Sequence, residues 1–538
     1  MKTIQRSMFV CLTILITFIV ATAANASWPA GGRLVNSLPQ TGQINTASDG
    51  TGGIFMSWPG ASSTTLQRVS AVGDLLLGPN GVTISPITSP TPCFSDNAGG
   101  VYVAGYSGSY VRLLRIGAAG NVGWTRDIAQ TPGAKSGLHA SPDGAGGALV
   151  AWSEVRNLPA PQDAASPYCQ RVDANGNAMY AANGVRITYN SWIPPHGSSS
   201  VGLAVNVVGL CASGDGGAFV VSTYEDYFAG TDPTSVHFLP STGTNPTDVT
   251  GTYNELRVVS DGAGGVYVAL STSSELRLKR YTPGVGFLWD IVLASFVSPS
   301  AITHAPAIAL TSGGVLIAWG RDYDVYAQKV SSGGSAQWTA GGIPVCPVIG
   351  NQDGIVIGPD FHGGAHVFWS DARYGQRDLY HQHIDSNGVT LLGLDYGEPF
   401  TSNDDDDINA ALYMDPAGYG IVAWTRAASN YALRFGSMAT AVGPRALVTS
   451  LEQNIPNPFN PRTTIGFTLE KAGRASINVY AVNGTLVRTL LDERRDAGPN
   501  RVSWDGTDQS GKPVASGVYM YRLSSSGQTA TRKMLLLK

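Results

Sequence analysis

A short phrase recurs eight times along the chain and limits its fold more than any other feature. It is a turn with Asp and Gly, a pair of glycines, and then an alternating apolar strand that often ends in Trp. The copies begin at Asp49, Asp96, Asp143, Asp215, Asp261, Ser312, Asp360 and Asp415, and five of them end at Trp58, Trp152, Trp319, Trp369 and Trp424. Between the second glycines, from Gly53 to Gly364, the spacings are 47, 47, 70, 48, 49 and 50 residues. The period is near-constant, with one insertion of about 22 residues between Gly147 and Gly217. A regular period in this range means an array of like units that bury their faces against one another.

Each unit has a second half, a further strand such as Tyr326-Ala-Gln-Lys-Val330, a Gly-rich turn, and a closing phrase such as Trp338-Thr-Ala-Gly-Gly-Ile-Pro-Val345. Counting the strand before the Asp-Gly turn gives four short strands in about 48 residues, the size of a β-propeller blade. Composition agrees. Gly and Pro number 66 and 31 of 538 residues and charged residues are 13%, which suits strands and tight turns and excludes helical bundles. The fold class expected is all-β: a β-propeller of eight blades, or seven if the degenerate fourth copy is not a full blade. Trp28-Pro-Ala-Gly-Gly-Arg-Leu-Val35 matches the closing phrase, which is missing after Phe435. The N-terminal strand is therefore expected to complete the last blade and remove two open sheet edges.

Residues 1–26 read as a signal peptide: Lys2 and Arg6, an apolar stretch of 16 residues from Met8 to Ala23, and then Ala24-Asn25-Ala26 before Ser27. A stretch of 16 is short for a bilayer span of about 20. The expected location is secreted or surface-attached, after export and with no membrane span after cleavage. A net charge of -4 shows no basic footprint for nucleic acid. Beyond the signal, Cys93, Cys169, Cys211 and Cys346 are widely spaced and lack a C-x-x-C pattern. Buried free thiols are favoured over zinc ligands or a disulfide framework.

The repeat region is taken as residues 27–448. Leu451-Glu-Gln-Asn-Ile-Pro-Asn-Pro-Phe-Asn-Pro461 then forms a Pro/Asn linker, and alternating segments separated by turns follow to the end. Six or seven short strands in residues 449–538 predict a small immunoglobulin-like β-sandwich. Asn457-Pro-Phe-Asn-Pro461, Val479-Tyr-Ala-Val-Asn-Gly-Thr-Leu-Val487, Trp504-Asp-Gly-Thr-Asp508 with Ser516-Gly-Val-Tyr519, and Thr531-Arg-Lys-Met-Leu-Leu-Leu-Lys538 together resemble a type A C-terminal sorting domain of the bacterial type IX secretion system. The stretch from Trp504 to Tyr519 is also similar to the Ig-like domain of flagellar hook-capping proteins. The resemblance implies a bacterial exported protein whose C-terminal domain meets an outer-membrane secretion machinery. It implies nothing about the cargo.

The search for chemistry returns no catalytic residue and no cofactor-binding residue. No Gly-x-Ser-x-Gly elbow, His-Glu-x-x-His helix or phosphate-binding loop occurs in the chain. Calcium suits oxygen ligands in loops, but one Asp per turn is too few, and an Asx turn explains Asp before Gly. The run Asn403-Asp404-Asp405-Asp406-Asp407 is expected to be a solvated loop, and Asp505 and Asp508 are expected to be turn residues. His366, His381 and His383 would make a metal site only if His366 shared the face of the other two, so the metal assignment stays open. The recurrent Trp residues read as packing. Trp152-Ser-Glu-Val-Arg156 and Trp369-Ser-Asp-Ala-Arg373 are expected to form ion pairs at blade edges. The function expected is a surface binding or adhesion propeller for a glycan or protein ligand. The alternative is a secreted hydrolase or lyase acting on polysaccharide, which requires several carboxylates in a polar pocket at the axis.

Overall fold

The computed structural model describes residues 28–537, apart from 30–31, 38–42, 61, 89–91, 157–164, 188–204, 225–233, 245–246, 249–254, 272–274, 283–285, 296–301, 322–323, 348–350, 374–375, 393–396, 402–404, 437–449, 452–453, 455–456, 458, 470 and 496–497. The signal sequence, the body of the large insertion, Asn403 and Asp404, and the proposed boundary at 448/449 lie outside the described residues.

Eight four-stranded antiparallel sheets form the repeat region. Blades 1 to 7 comprise residues 45–84, 93–129, 135–186, 205–248, 255–295, 302–346 and 352–399, each in consecutive strand order. Blade 8 joins Asp407–Met414, Gly420–Arg426 and Ser429–Phe435 to the N-terminal strand Arg33–Asn36. The fourth repeat is a full blade, built from Val205–Ala212, Ala218–Tyr224, Thr234–Leu239 and Thr247–Asp248. The first strand of each blade touches the first strands of its two neighbours all round the circle, so these strands line the axis.

A single twisted sheet has two faces to cover, and the blades cover them for one another. Each pair of neighbours shares one apolar core. Phe55 and Leu66 of blade 1 pack with Val101 and Leu114 of blade 2, for example, and Trp58 and Val69 of blade 1 pack with Val35, Ile421 and Ala423 of blade 8 across the closure. The Trp residues at the ends of second strands are at most 1% exposed, as packing residues should be.

The N-terminal phrase takes the same place as its internal copy. A Cβ on Gly32 would lie 2.3 Å from the Trp424 ring, as one on Gly342 would lie 2.4 Å from Trp319. The Trp28 indole N–H donates to the Ala71 carbonyl of blade 1 at 3.2 Å, as Trp338 donates to Ser386 of blade 7 at 3.2 Å. The N-terminal phrase thus packs within blade 8 through Gly32 and ties that blade to blade 1 through Trp28.

The paired glycines divide their work. The first takes positive φ (Gly146 at 87°, Gly264 at 98°, Gly363 at 96°), which tightens the turn. The second does not. It is needed because the third strand lies against it: a Cβ on Gly147, Gly265 or Gly364 would sit 2.2, 2.4 or 2.0 Å from the carbonyl oxygen of Val172, Tyr281 or Ile384.

The C-terminal strands make a separate sandwich. A three-stranded sheet of Ser450–Leu451, Thr463–Leu469 and Gly498–Trp504 faces a four-stranded sheet of Leu486–Arg495, Gly473–Ala481, Gly517–Ser525 and Gln528–Leu536. Trp504, Phe467, Tyr521 and Met534 are among the residues of its own core. Asp505 and Asp508 cap turns through backbone N–H groups, those of Thr507 and of Ser510 and Lys512.

Candidate functional site

Alternation and strand direction place the Asp-Gly turns on one face of the ring and the Trp ends of the second strands on the other. On the first face the Asp is a structural staple. Oδ1 of Asp143 accepts the N–H groups of Ala145 and Gly147 at 2.8 and 2.7 Å, while Oδ2 accepts from the Arg171 guanidinium at 2.9 Å. Asp49 with Arg68, Asp96 with Arg115 and Asp261 with Arg280 repeat this pattern. Several of these cations also reach the next blade: Arg68 donates to Ala118 O, Arg280 to Ser332 O, and Lys329 to Gly363 O. In these four blades both carboxylate oxygens are committed to the turn and to the strand beside it.

On the opposite face, the starts of the first strands of blades 1 and 3, with Pro92 and Tyr106 of blade 2, line a half-open cavity of about 580 Å³ at the mouth of the axis. Gln43, Asn45, Tyr106, Ser136 and His139 supply its polar lining, and Pro92 and Leu138 part of its apolar wall. Gly137 shapes the floor. It sits in a bulge of the strand Lys135–Pro142 with φ of 58°, and a Cβ there would meet Val207 O at 2.5 Å. Burial, and then the Arg257 cation, hold the His139 imidazole down at about 4, so it is neutral at pH 7. The buried Tyr106 hydroxyl makes no well-formed hydrogen bond among the described residues and lies beside the Leu138 backbone. Burial raises its pKa.

Charged groups at this end neutralise one another. Lys135 Nζ, which borders the cavity, contacts Glu154 at 3.0 Å and the Thr131 and Gly133 carbonyls at 2.6 and 3.1 Å. Glu154 also receives the Trp152 indole N–H and Arg156 at 3.0 Å. Burial pushes the Glu154 carboxyl up, but hydrogen bonds from Thr131, Trp152, Lys135 and Arg156 outweigh it and hold the group below its usual range. A carboxyl acting as a general acid would need the opposite shift. Asp371 pairs with Arg373 in the same way, and the Trp369 indole donates to it at 2.9 Å. These expected ion pairs form, but inside the fold, with Glu154 and Asp371 each 1% exposed. The acidic run also differs from expectation. Asp405 and Asp406 are exposed, whereas Asp407 is fully buried and bound by Arg426 at 2.7 and 2.9 Å.

His366, His381 and His383 do share one face of blade 7. His366 Nδ1 lies 2.9 Å from His381 Nε2, His383 stacks on His366 at 4.2 Å, and His383 Nε2 reaches Asp360 at 3.0 Å. Among the described residues, no group of three or more His, Cys, Asp or Glu side chains is arranged to hold a metal ion. The four cysteines are buried and free. The cavity was not legible in the sequence, because its residues come from three repeats and follow no motif.

The molecule is an all-β protein: an eight-bladed β-propeller followed by a small immunoglobulin-like sandwich. Residues 458–529 match the family model described as the FlgD Ig-like domain. No curated protein matches the chain. Solved structures similar to it include PorZ, described as an essential bacterial surface component of the type-IX secretion system of Porphyromonas gingivalis, at 13% identity over 93% of this chain and 71% of that one, with a TM-score of 0.30. A prolyl endopeptidase matches at 12% identity over 73% of this chain, and an acylaminoacyl peptidase of Pyrococcus horikoshii at 8% over 81%, with TM-scores of 0.38 and 0.37. The chain spans 54% and 58% of the length of those two peptidases. Among the described residues no helix is long and apolar enough to cross a membrane.

Proposed function

We propose that this chain is an exported bacterial binding protein, secreted or held at the cell surface, whose propeller takes an uncharged polar ligand at the mouth of its axis. The observation that carries the reading is the cavity of about 580 Å³ lined by amide, hydroxyl and neutral imidazole groups. Lys135, the one charged residue of that lining, is already paired with Glu154, and the Arg257 cation acts on His139. Such a lining offers hydrogen bonds to hydroxyl and amide groups of a glycan or peptide without paying to desolvate an ion. Among the described residues that line it there is no carboxylate pair of the kind that glycoside hydrolysis uses. The sandwich acts as the address, handing the folded propeller to an outer-membrane secretion machinery. That part rests on the signal-like N-terminus, the FlgD Ig-like match and the resemblance of the C-terminal motifs to a sorting domain.

The test is a glycan and peptide array probed with the full chain and with His139→Ala. Capture of neutral glycans or peptides, weakened about tenfold in the variant, is expected, which corresponds to about 1.4 kcal/mol. Capture that is unchanged in His139→Ala, or release of new reducing ends from a bound polysaccharide, would overturn it.

A further inference from the structure

In seven of the eight blades the second-strand position equivalent to Phe55, three residues before the recurrent Trp position, is apolar or aromatic and packs into the core shared with the next blade: Phe55, Tyr102, Leu149, Phe219, Tyr267, Leu316 and Ile421. In blade 7 it is His366, 7% exposed. The third strand repeats the contrast. Leu66, Leu113, Cys169, Val236, Leu278, Ala327 and Ala432 occupy the position that His381 takes in blade 7. One seam of the ring, between blades 7 and 8, therefore contains two imidazoles where the equivalent positions of the others carry none.

The surroundings of the pair are aromatic. Phe368 stacks on His381 at 4.2 Å with the rings within 3° of parallel, and Phe435 of blade 8 meets the edges or faces of His366, Phe368 and His381 at 5.0, 4.8 and 5.2 Å. From blade 8 the seam also receives Leu412, Val422, Trp424, Tyr431 and Leu433. The charged and titratable groups acting on the pair are His383 and Asp360, both on blade 7. Lys329 of blade 6 contacts the Gly363 carbonyl at the turn before the strand.

We infer that the seam between blades 7 and 8 is an acid-sensitive latch, closed while the His366–His381 hydrogen bond can form and loosened when both rings take up protons. The geometry contains the reason. A 2.9 Å contact between Nδ1 and Nε2 needs a proton on one nitrogen and a lone pair on the other. With both rings protonated, two N–H groups face each other among phenylalanines, and the carboxylate that acts on the pair, Asp360, is already engaged by His383 at 3.0 Å. Burial, and then the His383 charge, already hold His366 down at about 3, so the folded seam resists protonation while an opened seam does not. Acid therefore favours opening, and the effect grows as pH falls below the ordinary histidine value of about 6.5. His139 adds acid sensitivity of its own in blade 3, so a global melting curve alone does not locate the latch.

The experiment is native-state hydrogen exchange on the full chain at pH 7 and pH 5, corrected for intrinsic exchange rates. Protection in Ala365–Asp371 and Gly420–Arg426 is expected to fall at least tenfold relative to Val266–Ser271 and Gly314–Arg321, the matching strands of an apolar seam. The double variant His366→Leu with His381→Leu installs the residues found at Leu316 and Leu278, and should abolish that difference. Equal protection changes at both seams of the parent, or an acid response that persists at blades 7 and 8 in the double variant, would overturn the latch. If the variant does not fold, the comparison of seams within the parent chain still decides.

Discussion

The two faces of the ring are built on opposite terms. On the face of the Asp-Gly turns, four blades use the same device: Asp49, Asp96, Asp143 and Asp261, each tied to two backbone N–H groups and to an arginine of the third strand. On the mouth face no two of blades 1 to 3 contribute the same residue type from corresponding positions, and there the cavity opens. The first face closes blades and cannot vary without loosening the ring. The second is free to differ from blade to blade, which is what recognition of one asymmetric ligand requires.

The largest effect expected lies on the repeated face. Gly147→Ala should destabilise by about 3 kcal/mol or more, because the new Cβ would strike the Val172 carbonyl at 2.2 Å and force the second and third strands apart. Gly146→Ala, at positive φ with open space around it, should cost only about 1 kcal/mol, and Gly146→Asn less. Denaturant midpoints of the three variants check this. Equal losses at both glycines would mean that turn conformation, not close approach, governs the rim.

A smaller loss is expected for Asp143→Ala, about 2 kcal/mol. It would strand the N–H groups of Ala145 and Gly147 and leave Arg171 without its carboxylate, though Arg171 is 16% exposed and water recovers part of the cost. The same substitution at Asp385, whose carboxylate caps an exposed turn, should cost less than about 1 kcal/mol. Matching unfolding midpoints for the two would remove the distinction between a staple and an ordinary turn.

What the sequence made legible follows the same division. The blade period, the closing strand at Trp28–Val35, the packing role of Trp58, Trp152, Trp319, Trp369 and Trp424, and the alternating strands of the sandwich all appear because a repeated geometry demands repeated residues. The reason for the second glycine was not legible, since a close approach to Val172 or Ile384 involves a strand some 20 residues away. Asp407 looked like part of a solvated run, because charge density reveals nothing about the arginine 19 residues later that takes it inside. Gln43, Asn45, Ser136 and His139 meet only because successive first strands pack around the axis, so no spacing in the chain marks them.

The smallest change in stability is expected at the mouth, and it is the sharpest test of the contrast between the faces. Asn45 is partly buried at the start of the first strand of blade 1, where its side chain borders the cavity and its backbone keeps the pairing with Ser57. Asn45→Ala removes an amide without deleting core volume or stranding an ion. The unfolding free energy should therefore move by less than about 0.5 kcal/mol, as for surface substitutions in general. Ligand capture on the array should nevertheless fall by about fivefold, because one amide can contribute about 1 kcal/mol of hydrogen bonding to a bound polar group. A melting curve and an array titration on the same preparation separate the two quantities. Lost stability with unchanged capture would make Asn45 a framework residue like Asp143, and the mouth would then be another closed end of the ring.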